Sequence, residues 1–254
     1  MDILNYKEET LVLDEGVNDP GIFKAVVLAG GPGSGKSYVA KQLYGIPDKY
    51  NISMTGMKMI NQDKELKYLL KKFGFDPKYL ASMPDELFQY LTGKGDDASG
   101  LRDFAKELNT QRKLGYMSGK LGMIIDGTGH KFSKIKKEKQ WLESEGYDCA
   151  MVFVNTSLEV ALQRNKERDR VLPNHIVKKS WQDVQKNLGG FQALFGSHFV
   201  IVDNSKFLSA KEAESKFAAL TKSHISRWAN EPIKNPIGQQ WVKDQIKLKS
   251  AGIK

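Results

Sequence analysis

A short apolar run that leads directly into a cluster of glycines limits what this 254-residue chain can fold into. Residues 26–37 read VVLAGGPGSGKS, and a helical pattern, SYVAKQLYG, begins at the final serine. In this strand-to-helix setting the stretch matches the pattern G-x-x-x-x-G-K-[ST] at Gly30, Gly35, Lys36 and Ser37. Glycines let the backbone N–H groups of such a loop turn inward, and the helix N-terminus adds a favourable dipole. The sequence therefore predicts a loop that binds phosphate with its main chain.

The residue types of this loop fit ATP bound together with Mg²⁺. Lys36 would neutralise the β- and γ-phosphates, and the Ser37 hydroxyl would complete the Mg²⁺ shell. ATP is favoured over GTP because the nearest match to the guanine-binding pattern N-K-x-D, residues 165–168, reads NKER and lacks the aspartate. The loop residues predicted to bind the nucleotide are Gly31, Gly33, Ser34, Gly35, Lys36 and Ser37.

Five short apolar runs alternate with longer helical patterns along the chain. The runs begin at Phe23, Met57, Gly122, Ala150 and Phe199. This alternation predicts an α/β fold with a parallel sheet covered by helices. We expect a domain over residues 1–220 with its core at 23–205. The long interval at about 64–120 predicts a helical insertion with a flexible joint at 92–100, which could line an acceptor pocket.

The charge of the chain favours an anionic partner. With 39 basic and 30 acidic residues the formal net charge is +9, which suits phosphate or nucleic acid and is equally typical of a merely soluble surface. Residues 221–254 hold seven Lys or Arg against two acidic residues, and we expect a basic tail there. The single cysteine, Cys149, excludes an internal disulfide, and no apolar run reaches membrane-spanning length. A cytoplasmic protein without a membrane segment is expected.

Asp63 follows the second predicted strand, at the edge of the sheet where open α/β folds bind ligands. A carboxylate beside the γ-phosphate can accept the proton of an attacking hydroxyl. An aspartate at this point is as often the N-cap of the next helix. The position therefore predicts either a catalytic base or a helix cap.

Asp126 ends the third predicted strand in the stretch GMIIDGTGH, residues 122–130. It could hold Mg²⁺ through water, or bind the acceptor together with Thr128. The next residue is Gly127, where hydrolytic motors usually carry a glutamate that polarises water. Phosphoryl transfer to an acceptor is thus favoured over hydrolysis.

Three arginines lie close together in LQRNKERDRVLP, residues 162–173. Arg164 and Arg168 share one helical face, and Arg170 follows two residues later. Guanidinium groups chelate phosphate oxygens, and a mobile segment that carries them can close over the γ-phosphate. This stretch, called the lid segment below, predicts a lid in which Arg168 also binds the nucleotide; a solvated surface helix is the usual alternative.

The order of these motifs resembles the polynucleotide-kinase-like and zeta-toxin-like group of P-loop kinases over residues 23–205, and in style it is similar to bacteriophage-encoded members. Kinases of nucleic-acid 5′-hydroxyls take their base from a strand-end Asn-x-Asp, which falls here on Asn61 and Asp63. Their Asp-x-Thr motif falls on Asp126 and Thr128. Their lid pattern falls on Arg164, Asn165, Arg168, Val171 and Pro173.

Zeta toxins, which phosphorylate a nucleotide sugar, carry an acidic-Gly-Thr-Gly pattern similar to DGTG at residues 126–129. The resemblance implies a three-layer α/β P-loop NTPase sandwich with a five-stranded parallel sheet in the order 2-3-1-4-5. Both families tend to place an arginine three residues after the base, where this chain has Leu66. Lys64 or Lys67 could replace that arginine.

Taken together, the motifs and the resemblance predict ATP- and Mg²⁺-dependent transfer of the γ-phosphate to a hydroxyl of a nucleic-acid or nucleotide-like acceptor. A 5′-hydroxyl or a hydroxymethylated base in DNA would be the acceptor. The predicted roles are catalysis for Lys36, Asp63, Arg164 and Arg168, metal binding for Ser37 and Asp126, and acceptor binding for Asp63, Asp126 and Thr128. Two alternatives remain: a zeta-type kinase of a nucleotide sugar with an antitoxin-like partner, and a non-catalytic nucleotide-gated binding protein.

Overall fold

The computed structural model describes residues 17, 19, 21–47, 51–92, 100–168, 171–206, 210–221 and 226–251. Arg170 and most of the joint expected at 92–100 lie outside the described residues. Among the described residues, no helix has both the length and the apolar character needed to cross a membrane.

A five-stranded parallel sheet forms the centre of the fold. Its strands are β1 (Lys24–Ala29), β2 (Lys58–Ile60), β3 (Met123–Asp126), β4 (Asp148–Asn155) and β5 (Phe199–Asp203). They lie in the order β2-β3-β1-β4-β5, and each neighbouring pair is parallel. The α/β class and the strand order 2-3-1-4-5 predicted above are confirmed.

Helices cover both faces of the sheet because successive residues of a strand point to opposite sides. Val26 and Leu28 of β1 belong to one hydrophobic core, and Ala25 and Val27 belong to the other. The first core is closed by α1 (Lys36–Tyr44) and α9 (Ala210–Leu220), the second by α5 (Phe132–Ser144), α7 (Asn174–Lys186) and α8 (Leu188–Phe195). The result is a three-layer sandwich in which β1 is buried throughout.

Residues 62–118, called the insertion below, carry a small core of their own. Its elements are α2 (Gln62–Lys72), a 3-10 helix (Pro77–Ser82), α3 (Asp85–Thr92) and α4 (Leu101–Ser118). Leu66 and Leu70 of α2 pack with Leu91 of α3 and Ala105 of α4. Leu66, which stands where the resembling families tend to have arginine, is therefore a core residue of the insertion.

The segment expected to be a basic tail contains two helices, α10 (Ser226–Asn230) and α11 (Pro236–Ser250). The Trp241 ring packs edge-on against Phe23 with 5.4 Å between centroids. The main-chain N–H groups of Lys234 and Asn235 donate to the Asp148 carboxylate at 2.9 Å each. The described part of this segment thus packs on the sheet domain, which the charge pattern did not indicate. The boundary at residue 220 stays a prediction.

Candidate active site

The parallel strands bring the predicted site residues to one edge of the sheet. Leu28 of β1 lies beside Asp126 at the end of β3, and Ile60 at the end of β2 lies beside Ile125. The Gly30 N–H donates to the carbonyl of Thr128 at 3.2 Å. The loop after β1, the start of α2 and the loop after β3 therefore leave the sheet next to one another.

The loop of residues 30–37, called the phosphate loop below, has a backbone that only glycine adopts easily. Gly33 and Gly35 have φ of +77° and +81°. A Cβ on Gly33 would lie 2.2 Å from the Ala161 carbonyl oxygen of α6 (Leu158–Lys166), so a side chain has no room there. Gly35 is the N-cap of α1 and supplies no side-chain hydrogen bond. The first N–H groups of α1 thus point out of the helix start, where an anion can accept them.

Lys36 lies inside the phosphate loop. Its Nζ donates to the carbonyl of Gly30 at 2.7 Å and approaches that of Gly31 at 3.4 Å. Burial lowers the pKa of Lys36, an effect opposed by the carboxylates of Asp126 and Asp63. The lysine is therefore held among the groups that face a bound phosphate, while Ser37 is exposed on the first turn of α1.

Asn61, rather than Asp63, caps the helix that follows β2. Its Oδ1 accepts hydrogen bonds from the N–H groups of Asp63 at 2.9 Å and Lys64 at 3.2 Å. Its Nδ2 donates to Asp126 Oδ2 at 2.8 Å, which ties the start of α2 to the end of β3. The Asp63 side chain is 60% exposed, and its Oδ2 lies 4.0 Å from Nη2 of Arg168. The alternative role of Asp63 as the helix cap does not hold.

Asp126 has the character expected of a magnesium ligand. Burial raises the pKa of its carboxyl to about 6, although Lys36 opposes this shift. Its buried Oδ1 has no hydrogen-bond partner among the described residues. Mg²⁺ prefers oxygen ligands and keeps several waters when it binds with nucleotide phosphates. The Asp126 carboxylate and the Ser37 hydroxyl are oxygen ligands of the kind that such an ion prefers. Within the described ranges, no group of three His, Cys, Asp or Glu side chains could hold a metal ion.

The loop after β3 is held by hydrogen bonds from Asn187. Asn187 Nδ2 donates to the carbonyls of Gly129 at 2.9 Å and His130 at 3.1 Å. Thr128 is exposed, and its hydroxyl contacts Nδ1 of His130. Burial lowers the pKa of His130, and the neighbouring Lys131 and Lys134 lower it further. Thr128 thus lies at the surface of the loop, next to His130.

The two predicted arginines of the lid segment have different surroundings. Arg168 lies near Asp63, and its charge also acts on Lys36 and Asp126. Arg164 instead donates from Nη1 to the carbonyl of Asn204 at 2.8 Å and from Nη2 to that of Lys206 at 3.2 Å. Arg164 thus binds the chain that follows β5, and its Nη1 also lies 3.7 Å from where a Cβ on Gly35 would be. The site therefore brings both arginines to the phosphate loop.

Asn165 determines the path of the lid segment. It is completely buried, its Nδ2 donates to the Leu172 carbonyl at 2.7 Å, and its Oδ1 accepts from the Leu172 N–H at 3.1 Å. The asparagine thus joins the end of α6 to the chain before α7. In the resembling lid pattern it lies between the two arginines, but the sequence alone assigned it no role.

Asn204 and Thr156 support the phosphate loop and were not predicted. Asn204 follows β5; its Nδ2 donates to the Ser34 carbonyl at 2.8 Å, and its own carbonyl accepts from the Thr156 hydroxyl at 3.2 Å. Trp181 of α7 donates from Nε1 to the Thr156 carbonyl at 2.8 Å. Each of these residues directly follows a strand of the sheet. A polar residue at a strand end is the signal that identified Asp63, and it could have been applied to β4 and β5 as well.

A family model for the AAA domain family AAA_33 matches residues 26–190, from β1 through the phosphate loop and lid segment to α8. The match covers more than half of the chain. The chain belongs to this family. Its fold is the three-layer P-loop NTPase sandwich predicted above, with strand order 2-3-1-4-5.

Solved structures similar to this chain include several kinases. Shikimate kinase from Acinetobacter baumannii is 14% identical, with a TM-score of 0.45 over 80% of this chain and 94% of that one. A gluconokinase from Sinorhizobium meliloti 1021 is 18% identical, with a TM-score of 0.44 over 83% and 99%. The PezAT toxin–antitoxin system of Streptococcus pneumoniae is 16% identical, with a TM-score of 0.42 over 88% and 86%. At these identities the similarity concerns the fold alone.

Proposed function

We propose that this chain is an ATP- and Mg²⁺-dependent kinase that transfers the γ-phosphate to a hydroxyl of a nucleic-acid or nucleotide-like acceptor. The observation that carries the proposal is the convergence of a lysine, two carboxylates and an arginine beside the phosphate loop. The charges of Asp126, Asp63 and Arg168 act on the pKa of Lys36, although the four residues lie in four separate stretches of the chain. A nucleotide-gated binding protein would not need a carboxylate at position 63.

In the proposed reaction Asp63 accepts the proton of the acceptor hydroxyl while its oxygen attacks the γ-phosphorus. The bond between that phosphorus and the bridging oxygen of ATP breaks, and ADP leaves with the electron pair. Lys36 and Arg168 stabilise the negative charge on the transferring group, as cations do in this reaction class. Mg²⁺ held by Ser37 and Asp126 would supply further charge neutralisation at the phosphates.

Two surface features support an acceptor with the properties of nucleic acid. The chain has a net charge of +9. The insertion has five aromatic side chains that are exposed by 46–64%: Tyr68, Phe73, Tyr79, Tyr90 and Phe104. Lys67, Lys71 and Lys72 lie among them on the exposed side of α2. Exposed rings next to lysines are the groups that bind single-stranded nucleic acid, through base stacking and phosphate contacts.

Transfer of labelled γ-phosphate from ATP by the full chain tests the proposal. The acceptor panel contains a 5′-hydroxyl oligonucleotide, hydroxymethylated DNA, nucleosides and nucleotide sugars. We expect labelling of at least one nucleic-acid acceptor, and its loss in Lys36→Ala because that variant lacks the lysine of the phosphate loop. Lys41→Ala, on the same helix but one turn beyond the loop, is the matched control and should keep activity.

The acceptor that becomes labelled separates the alternatives. Labelling of nucleotide sugars alone would replace the nucleic-acid acceptor with the zeta-type reaction. ATP binding without labelling of any acceptor in the panel would contradict the kinase proposal and favour a nucleotide-gated binding protein. Labelling that persists unchanged in Lys36→Ala would show that the activity arises outside the phosphate loop.

A further inference from the structure

A cavity of about 260 Å³ lies between the sheet and α10, and none of its lining residues belongs to the phosphate loop. Its apolar walls come from β4, β5 and α10: Ala150, Val152, Val200 and Trp228. Its volume is slightly below the range typical of pockets for drug-sized ligands, about 300–1,000 Å³. The cavity therefore suits a compact metabolite with a single ring rather than a nucleotide.

One wall of the cavity carries a buried tyrosine. Tyr44, the last residue of α1, lines it and is only 3% exposed. Its hydroxyl has no hydrogen-bond partner among the described residues. Burial raises the pKa of Tyr44, so this group stays a neutral hydroxyl that can donate or accept. A buried polar group without a partner costs free energy, and a ligand that binds it removes this cost.

The mouth of the cavity carries a small excess of positive charge. Arg227, Lys234, Glu231 and His198 line it. Lys234 Nζ lies 2.7 Å from the Glu231 carboxylate, while Arg227 Nε lies 4.0 Å from it. Burial lowers the pKa of His198, which keeps this imidazole neutral near pH 7. The mouth of the cavity thus has two cations and one anion. The negative charge of a singly charged ligand would neutralise the excess positive charge.

Other charged groups around the cavity are already compensated. Lys24 lies over the Trp228 ring, 5.2 Å from its centroid, but its Nζ is 2.9 Å from the Asp148 carboxylate. Asp148 also accepts the N–H groups of Lys234 and Asn235. These contacts fix the wall of the cavity. Arg227 is then the cation best placed to bind the negative charge of a ligand.

We propose that this cavity binds a small molecule with one compact ring, a hydroxyl or carbonyl that hydrogen-bonds Tyr44, and a single carboxylate that meets Arg227 at the mouth. The site is separate from the ATP site, since α1 begins at the phosphate loop and ends at Tyr44, so its occupancy does not depend on kinase activity. The combination of a buried hydroxyl with no hydrogen-bond partner in the described part of the chain, apolar walls and a cationic mouth carries the proposal.

Titration of the full chain with 4-hydroxybenzoate and with benzoate, followed by ligand-observed NMR or calorimetry, tests it. For a ligand of this size we expect a dissociation constant of about 1 mM or below for 4-hydroxybenzoate. Benzoate should bind roughly fivefold more weakly because it cannot bond Tyr44. The Tyr44→Phe variant should lose this preference, since it keeps the ring and removes only the hydroxyl. Tyr38→Phe, an exposed tyrosine of the same helix, should keep it.

The charge of the mouth is tested with uncharged 4-hydroxybenzamide and with Arg227→Gln, a substitution at an exposed residue. The wild type should prefer the carboxylate over the amide, and Arg227→Gln should reduce that preference. ATP binding and thermal unfolding verify that each variant is folded. No binding of 4-hydroxybenzoate at millimolar concentration would overturn the proposal. Equal binding of the two carboxylates by wild type, or a preference unchanged in Tyr44→Phe, would also overturn it.

Discussion

Asn61 caps α2, so the Asp63 side chain does not serve as the helix cap. An N-cap aspartate would be bound to the first N–H groups of the helix, and here the Asn61 amide oxygen accepts them. The same amide donates to Asp126, so one residue contacts the main chain of the proposed base and the carboxylate of the proposed metal ligand. The sequence pattern Asn-x-Asp predicts this pair of positions, but only the three-dimensional contacts separate the cap from the base.

The Asp63→Asn substitution tests the base. It keeps the size of the side chain but cannot accept a proton, so turnover should fall by about 10²–10⁴ while ATP affinity changes little. Single-turnover phosphoryl transfer and ATP titration measure the two effects. Asp244→Asn, on exposed α11, makes the same change of charge at a distance and should leave turnover unchanged. Near-normal turnover in Asp63→Asn would mean that another group takes the proton.

Asn204 is the residue whose role depends most on contacts between distant parts of the chain. It is buried, and its Nδ2 bond to the Ser34 carbonyl joins positions 170 residues apart. Such a contact leaves no periodic pattern and no local motif, so sequence reasoning found the phosphate loop but not its support. The sequence shows a polar residue, Asn204, at the end of β5, but it does not show that this residue binds the Ser34 carbonyl.

The Asn204→Ala substitution should loosen the phosphate loop. It leaves the Ser34 carbonyl without its partner and should cost about 1–3 kcal/mol of unfolding free energy. We also expect weaker ATP binding, because the loop must hold its shape without this support. Chemical unfolding and ATP titration provide the measurements, with Asn230→Ala at an exposed position as the control. Unchanged ATP affinity in a destabilised variant would limit Asn204 to a purely structural role.

At the level of elements, the strands were predictable and several helices were not. Short apolar runs indicated all five strands to within two residues of their observed starts, since a parallel sheet needs apolar side chains on both faces. The helices α7, α10 and α11 were not predicted. Each of them carries a tryptophan that contacts the rest of the chain: Trp181 in α7, Trp228 in α10 and Trp241 in α11.

The Asn165→Ala substitution tests whether the lid segment is held as one element. It removes both hydrogen bonds to the Leu172 main chain, which should cost about 1–3 kcal/mol and loosen the segment around Arg168. Trypsin should then cleave after Arg168 faster than in the wild type, and phosphoryl transfer should slow. Gln163→Ala, an exposed neighbour on the same helix, is the control. Equal cleavage rates in Asn165→Ala and wild type would contradict this role.

Considered as a whole, the molecule keeps its basic carboxyl-terminal segment attached to the sheet domain. Trp228 and Ala229 are buried in the same core as α1, and the contacts of Asp148 hold the chain between α10 and α11. Deleting this segment would expose that core. In a truncated chain, the effect of lost stability on binding could therefore not be separated from the effect of lost charge. The charge of the segment is better tested by substitutions at exposed lysines.

Lys243 and Lys247 of α11 are exposed and lie four residues apart, on one face of the helix. If the acceptor is a single-stranded polymer whose phosphates meet this face, each contact releases counterions, and binding weakens with salt at a log–log slope of about −0.7 per contact. The double variant Lys243→Gln/Lys247→Gln should then flatten the slope for an oligonucleotide by about 1.4, without change in ATP affinity. Asp244→Asn, on the same helix, should not flatten it. An unchanged slope in the double variant would mean that the polymer binds another surface of the protein. The exposed aromatic residues of the insertion would then be tested next.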